Sequence, residues 1–210
     1  MIDAIVFLGI QGSGKGTQAK LLAAETGYQH INIGDLLRKQ SKMDTAVGRE
    51  IQQTIQGGEM VSDELVFELI KKAVKADCPG LIFDGFPRNL NQAKHLVQNY
   101  RLARVYYLDL KESVAVERIQ GRRICSQCGA NYHLKNKAPQ KDGICDICSG
   151  VLITRADDSP KAIAKRVSAF FRETYILKDY FSELGVLVSL SAERSISEIQ
   201  QQIFADIHLD

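Results

Sequence analysis

The sequence predicts an α/β fold, doubly wound around a parallel sheet. Three observations point there. Short apolar runs recur along the chain, segments of helical period lie between them, and a glycine-rich turn joins the first run to the first helical segment. A strand covered by helices on both faces reads as an unbroken apolar run, unlike the alternating pattern of a half-exposed strand. The chain has 210 residues. Domains usually run to about 100–200 residues, so this is one large domain or one domain carrying inserts.

In chain order, Ala4-Ile-Val-Phe-Leu8 is the first strand, and Gly9 ends it. A helical pattern begins near Thr17, and Tyr28–Ile31 is a short candidate strand. Residues 32–61 depart from the alternation: they hold helical pieces, no convincing strand, and Gly57-Gly58 at the far end. Ser62 can cap the next helix, with Asp63 and Glu64 favourable in its first turn. That helix sets Val66, Leu69, Ile70, Ala73 and Val74 on one face. Leu81-Ile-Phe83 is a strand closed by Asp84-Gly85, and Val105-Tyr-Tyr-Leu108 is another. Residues 122–158 contain the paired cysteines, turn residues and little helix, and read as a second insert. Ser159-Pro160 supplies an N-cap and a proline at the first helical position. The steps Ile163, Val167, Phe170, Thr174, Leu177, Phe181 and Leu184 predict one long helix after it. Val186-Leu-Val-Ser-Leu190 is the last strand, and Ser195-x-x-Glu198 is a capping box for a final helix.

Composition narrows the function classes. Apolar residues make up 45% and charged residues 25%, which is the ordinary globular mix and excludes a disordered or collagen-like chain. Lys+Arg is 27 and Asp+Glu 25, a net charge of only +2. That balance lacks the basic stripe of a dedicated nucleic-acid binder. No apolar run approaches the ~18 residues needed to cross a bilayer, and Asp3 and Gln11 break any signal-peptide pattern. A soluble cytoplasmic protein is the expectation, with no nucleic-acid or membrane partner.

Gly9-Ile-Gln-Gly12-Ser13-Gly14-Lys15-Gly16-Thr17 follows the first strand and opens a helix, with the spacing G-x-x-x-x-G-K. Glycines let backbone N–H groups wrap phosphate oxygens, and the helix N-terminus adds positive potential. Lys15 reaches the outer phosphates as a point charge. The strict pattern has Ser or Thr directly after the lysine; here Gly16 stands there and Thr17 follows. Asp84 ends a buried strand, where a carboxylate can hold Mg²⁺ through water. GTPase chemistry is not supported. The D-x-x-G at Asp77–Gly80 precedes a strand, and Asn136-Lys137-Ala138-Pro139 lacks the acidic residue of a guanine reader.

Arg88, Arg118, Arg122, Arg123, Arg155 and Arg166 flank the inserts and strand ends. Phosphoryl transfer needs positioned positive charge more than a proton-transfer group, and the guanidinium fork binds phosphate at two points. Arg123 is read as a solvated surface residue. Cys125-Ser-Gln-Cys128 and Cys145-Asp-Ile-Cys148 lie 16 residues apart, within the spacing of zinc ribbons. Two knuckles give four thiolates, a closed tetrahedron with no open position, so the metal is structural. Two disulfides or a redox pair are disfavoured by a reducing compartment. Cys78 reads as an inert thiol and His133 as a loop residue.

Gly9–Thr17, Gly34-Asp-Leu-Leu-Arg38, Asp84-Gly-Phe-Pro-Arg88 with Gln92, Arg118-Ile-Gln-Gly-Arg122 and Arg155-x-Asp157-Asp158 together resemble the motifs of the adenylate kinases, in order and along almost the whole chain. The cysteine insert resembles the zinc-bearing lid of the family's long bacterial form. The resemblance implies the P-loop nucleoside monophosphate kinase fold, with a five-stranded parallel core and two inserted mobile subdomains. Residues 1–31, 62–121 and 159–210 are then the core, 32–61 the AMP-binding subdomain, and 122–158 the zinc-binding lid. The implied reaction is reversible transfer of the γ-phosphoryl of Mg·ATP to AMP, giving two ADP. A UMP or CMP kinase is the alternative.

By the same resemblance, Gly12, Ser13, Gly14, Lys15, Gly16 and Thr17 hold the ATP phosphates. Arg118 lies against the ATP adenine, with backbone of Asn131, Tyr132 and Arg194 around the base. Arg38 and Arg88 hold the AMP phosphate, and Gln92 reads the AMP base. Ile33 and backbone of Glu59, Met60, Val61 and Gly85 line the AMP site. Lys15, Arg88, Arg122, Arg155 and Arg166 surround the transferring group, the last two touching AMP as well. Asp84 serves magnesium. Two positions depart from the family pattern. Ile33 stands where a threonine is usual and lacks its hydroxyl, and Gln11 stands where a proline is usual. AMP is expected to remain the acceptor, held more weakly. A monomer is expected, because a closing lid leaves little surface for an obligate interface.

Overall fold

The computed structural model describes residues 1–207. The last three residues of the expected core segment lie outside them. The first half of the chain runs β1 (Asp3–Leu8), α1 (Lys15–Thr26), β2 (Gln29–Asn32), α2 (Ile33–Gln40), α3 (Ala46–Gln56), α4 (Asp63–Ala73), β3 (Leu81–Asp84) and α5 (Leu90–Asn99). It continues with β4 (Arg101–Asp109), α6 (Glu112–Gln120), β5 (Arg122–Cys125), β6 (Asn131–His133) and β7 (Leu152–Ile153). It closes with α7 (Pro160–Ala169), α8 (Leu177–Glu183), β8 (Leu187–Ser191) and α9 (Ile196–Ile207).

Five of these strands form a parallel sheet in the order β2-β3-β1-β4-β8. Its centre is sealed on both faces: every residue of β3 is buried, as are Ala4–Leu8 and Val105–Leu108. This is why these segments read as unbroken apolar runs. Helix caps fall where side chains can supply them. Ser62 accepts from the Leu65 amide, and Ser159 accepts from the Ala162 amide. Ser195 and Glu198 exchange bonds as a capping box, Glu198 accepting from the Ser195 amide at 2.9 Å and Ser195 from the Glu198 amide at 3.3 Å.

The long helix expected after Ser159 is interrupted. A π-helical turn spans Phe170–Thr174 between α7 and α8. Phe170, Leu177 and Phe181 face the core, but Leu184 is exposed. The apolar steps of four and three fit a helix with or without one inserted residue, so the break was not readable from them.

Residues 32–61 hold α2 and α3, which pack on each other beside the sheet. Residues 122–158 hold a separate antiparallel sheet in the order β6-β5-β7. It has its own small core of Cys125, Tyr132 and Cys145, with Ala130 and Leu152 against it. No helix among the described residues is long and apolar enough to cross a membrane.

Candidate active site

The carboxyl ends of the parallel strands bring the site together, as is general for open α/β sheets. In register, Asp84 of β3 lies opposite Phe7 of β1 on one side and Asn32 of β2 on the other. The glycine-rich loop leaves β1 at this edge, and Gly14 turns it into α1 with φ 95. A cleft of about 850 Å³ opens here, lined by Gly12–Thr17, Asn32, Arg38, Asp84, Gly85, Arg88, Arg118, Arg122, Asn131, Tyr132, Arg155, Arg166 and Arg194.

Lys15 donates to the carbonyls of Gly9 and Ile10 at 2.7 and 2.8 Å. Desolvation brings its pKa down to about 8; Asp84 opposes that shift, and Arg88, Arg122 and Arg166 reinforce it. Asp84 is buried and accepts from the Asn32 amide, with the His30 ring 3.7 Å away. Burial raises its pKa, but His30, Lys15 and Arg88 outweigh burial and leave the carboxyl below its ordinary value. It is therefore an anion at neutral pH, as an acceptor for magnesium-bound water must be. The glycine at the position after the lysine has a geometric cause. A Cβ on Gly16 would stand 2.9 Å from Asp84 Oδ2, so serine or threonine there would collide with the carboxylate.

The arginines divide into two groups. Arg122 forks onto Asp158 at 2.9 and 2.5 Å. Arg166 reaches Asp157 at 3.3 Å and Asp158 at 2.8 Å, and Arg38 lies 3.8 Å from Asp157 and 2.6 Å from Asp35. Arg88 and Arg155 are instead held by neutral acceptors. Arg88 Nε donates to the Gly85 carbonyl at 2.9 Å, and Arg155 Nη2 to Asn131 Oδ1 at 2.9 Å. Burial and neighbouring guanidinium groups lower the pKa of Arg88, and that of Arg155 to about 10. Burial acts against the charge of Asp158, but Arg122 and Arg166 hold its carboxyl below the usual range. The buried Nε atoms of Arg155 and Arg166, Ser13 Oγ and Gln11 Oε1 have no hydrogen-bond partner. Buried N–H groups left open are costly, so the two guanidinium Nε–H groups favour an anion beside them.

At one end of the cleft Arg118 donates to the Ala192 carbonyl at 2.9 Å, fastening α6 to the loop that carries Arg194. At the other end Glu59 meets Lys165 of α7 at 2.9 Å. Four sequence-selected residues lie off the cleft lining: Ile33, Met60, Val61 and Gln92. Ile33 is 2% exposed at the start of α2 and packs in the core. Gln92 is also 2% exposed; its Oε1 accepts from the Arg88 amide at 2.8 Å and its Nε2 donates to Asp63 at 2.6 Å.

Sequence reading missed Asn32 and His30 as neighbours of Asp84, and Asp157 and Asp158 as counter-ions. A polar residue before Ile33-Gly34-Asp35 was the available signal for Asn32. It caps α2 by accepting from the Asp35 amide at 2.8 Å, which also aims its NH₂ at Asp84.

The cysteines converge in the small sheet. Their four Sγ atoms all lie within 4.8 Å of one another, with Cys125–Cys148 at 3.4 Å and Cys128–Cys145 at 3.6 Å. Bonds of about 2.3 Å to a tetrahedral zinc ion would set sulfurs about 3.8 Å apart, so the cluster fits that ion. The Tyr132 hydroxyl, 3.5 Å from Cys145 Sγ, brings that thiol down to about 6 and so favours the thiolate a metal takes.

Residues 7–186 match the family model described as Adenylate kinase. The Adenylate kinase of Caldicellulosiruptor saccharolyticus is 35% identical over 206 residues, covering 95% of this chain and 96% of its own. That of Clostridioides difficile is 36% identical, covering 96% of each chain. That of Clostridium botulinum is 37% identical, covering 93% of this chain and 94% of its own.

Proposed function

The chain belongs to the adenylate kinase family and transfers the γ-phosphoryl group of ATP reversibly to AMP, giving two ADP, and we propose how its cleft divides that work. Gly12–Thr17 and Lys15 cradle the ATP phosphates. Arg118 and the backbone of Asn131, Tyr132 and Arg194 enclose the ATP base. Arg38 and Arg88 hold the AMP phosphate; Gly85 and Glu59 flank it. Gln92, with Ile33, Met60 and Val61 behind it, contacts the AMP base once the site has rearranged around the nucleotide. The UMP or CMP alternative finds no support among the relatives.

The observation that carries this reading is the convergence of Lys15, Arg88, Arg122, Arg155 and Arg166 on one cleft beside a buried anion, Asp84. The bond from the γ-phosphorus to the bridging oxygen breaks as a bond to an AMP phosphate oxygen forms. Charge moves between phosphate oxygens, so fixed cations serve better than an acid or base. Bound Mg²⁺ supplies a Lewis acid that neutralises phosphate charge. Asp84 is the residue that holds it, through water, with Asn32 orienting the carboxylate.

The domain reading follows the same lines: 1–31, 62–121 and 159–210 as core, 32–61 as the AMP-binding subdomain and 122–158 as the lid. Cys125, Cys128, Cys145 and Cys148 hold a structural Zn²⁺, which gives the lid a rigidity its few apolar residues cannot. The protein works as a cytoplasmic monomer that binds neither nucleic acid nor membrane.

Steady-state kinetics of two variants test the division of labour. Arg118→Ala is expected to raise KM for ATP by about tenfold or more and leave KM for AMP nearly unchanged; Arg38→Ala should do the reverse. Equal effects of both variants on both substrates would contradict it.

A further inference from the structure

We propose that Asn131 is a positioning residue that holds Arg155 through a neutral acceptor and so leaves the full guanidinium charge for the transferring phosphoryl group. The inference rests on the reading above that Arg155 faces that group. It concerns the Asn131 side chain, whereas that reading uses its backbone.

Arg155 Nη2 donates to Asn131 Oδ1 at 2.9 Å. The identity of the amide atom is fixed by chemistry, because a guanidinium can only donate. Arg155 has no ion-pair partner among the described residues, while Arg38, Arg122 and Arg166 each have a carboxylate. It also feels the repulsion of Arg122 and Arg38 more than the attraction of Asp157 and Asp158, neither of which is close enough to pair with it. A long side chain pushed by like charges needs an anchor to stay in one rotamer. A carboxylate anchor would hold it more strongly but would cancel much of its charge. An amide holds it and leaves the charge in place. The open, buried Nε of Arg155 is then free for a phosphate oxygen.

The anchor itself is well founded. Asn131 is paired with Ile124 across β5. Its neighbour Tyr132 is 5% exposed, and the Tyr132 hydroxyl lies 3.5 Å from Cys145 Sγ and accepts from the Asp146 amide at 2.8 Å. Alternation along a strand sends Asn131 and Tyr132 to opposite faces. The tyrosine therefore pins the strand to the cysteine knuckle while the asparagine points into the cleft.

The test compares Asn131→Ala, Asn131→Asp and Asn131→Thr in the zinc-loaded enzyme, with Arg155→Ala as reference. Asn131→Ala is expected to lower kcat about tenfold, with both KM values within about twofold. Asn131→Asp keeps the shape and strengthens the anchor, yet its kcat should fall at least as far. Asn131→Thr, a neutral acceptor on a shorter arm, should lie between alanine and the parent. Bound zinc and Tm are read for each variant; if the alanine variant fails to fold, the threonine and aspartate variants decide. An Asn131→Asp enzyme as fast as the parent would overturn the role of the neutral acceptor. Unchanged kcat in Asn131→Ala would overturn positioning. If Arg155→Ala cripples kcat and the Asn131 variants are silent, this inference alone fails. If Arg155→Ala is also silent, the reading of Arg155 fails with it.

Discussion

The Lys15 ammonium rests on two loop carbonyls in a desolvated setting that brings its pKa to about 8. Bound phosphate would raise that pKa, because an anion favours the charged form. The free enzyme should therefore lose kcat/KM for ATP as pH rises through about 8, while kcat, which reports the loaded enzyme, stays level further into base. A pH profile of both parameters checks this; a flat kcat/KM across that range would contradict it. The stability sign follows from the same shift. The folded pKa lies below the ordinary 10.5, so Lys15 makes the protein gain stability as pH rises between about 8 and 10.5. Gly16 offers a second residue-scale check. Gly16→Ser should displace Asp84 and cut kcat about tenfold or more, about 1.4 kcal/mol of barrier, with KM for AMP held. The cationic residues were legible by type and spacing in the sequence. Their pairing was not. Arg38 and Asp157 are far apart in the chain, and only folding shows that a carboxylate has been assigned to some arginines and not to others.

At the level of elements, local chemistry was the best guide. Ser62, Ser159 and Ser195 each cap the helix that their own sequence context announces. Ser62→Ala should cost about 1 kcal/mol, read as a lower Tm, since its hydroxyl caps α4 and Ser62 is not among the residues lining the cleft. Strands sealed on both faces were equally plain. What escaped was the π-helical turn at Phe170–Thr174, because the same apolar residues reach the core whether or not the helix is continuous there. The small sheet of β5, β6 and β7 escaped as strands for a different reason. Its order comes from the cysteine knuckles and not from apolar alternation. Metal removal should therefore lower Tm substantially and slow the reaction little at low temperature. Calorimetry on chelated protein, with metal content measured, checks this; an unchanged melt of metal-free protein would contradict a structural ion.

Across the whole molecule, residues 32–61 touch both the 122–158 segment and α7. Arg38 of α2 approaches Asp157, and Glu59 meets Lys165 of α7. Gly58 allows that approach, since a Cβ there would stand 2.7 Å from the Ala162 carbonyl. The Glu59–Lys165 pair is exposed and screened by water, so it is a weak contact that can open and close. In the proposed mechanism these segments would close over bound nucleotides and keep water from the γ-phosphoryl group, which would otherwise be hydrolysed. The five strands of the parallel sheet were readable from their apolar runs and flanking turn residues. The seating of residues 32–61 was not, because buried Ile33, Leu37 and Ile51 join the main core there while charged pairs and one glycine set the contacts at its rim. At the proposed acceptor site, Ile33 is buried in the core and Gln92 is tied to Asp63 and Arg88, so the choice of nucleotide tests both. The most direct test mixes the purified protein and Mg·ATP with AMP, CMP, UMP or GMP in turn and follows ADP formation. Rapid turnover with AMP, and little with the others, is the predicted result. Preferred turnover of a pyrimidine nucleotide would contradict the assignment of the acceptor site and of Gln92 within it.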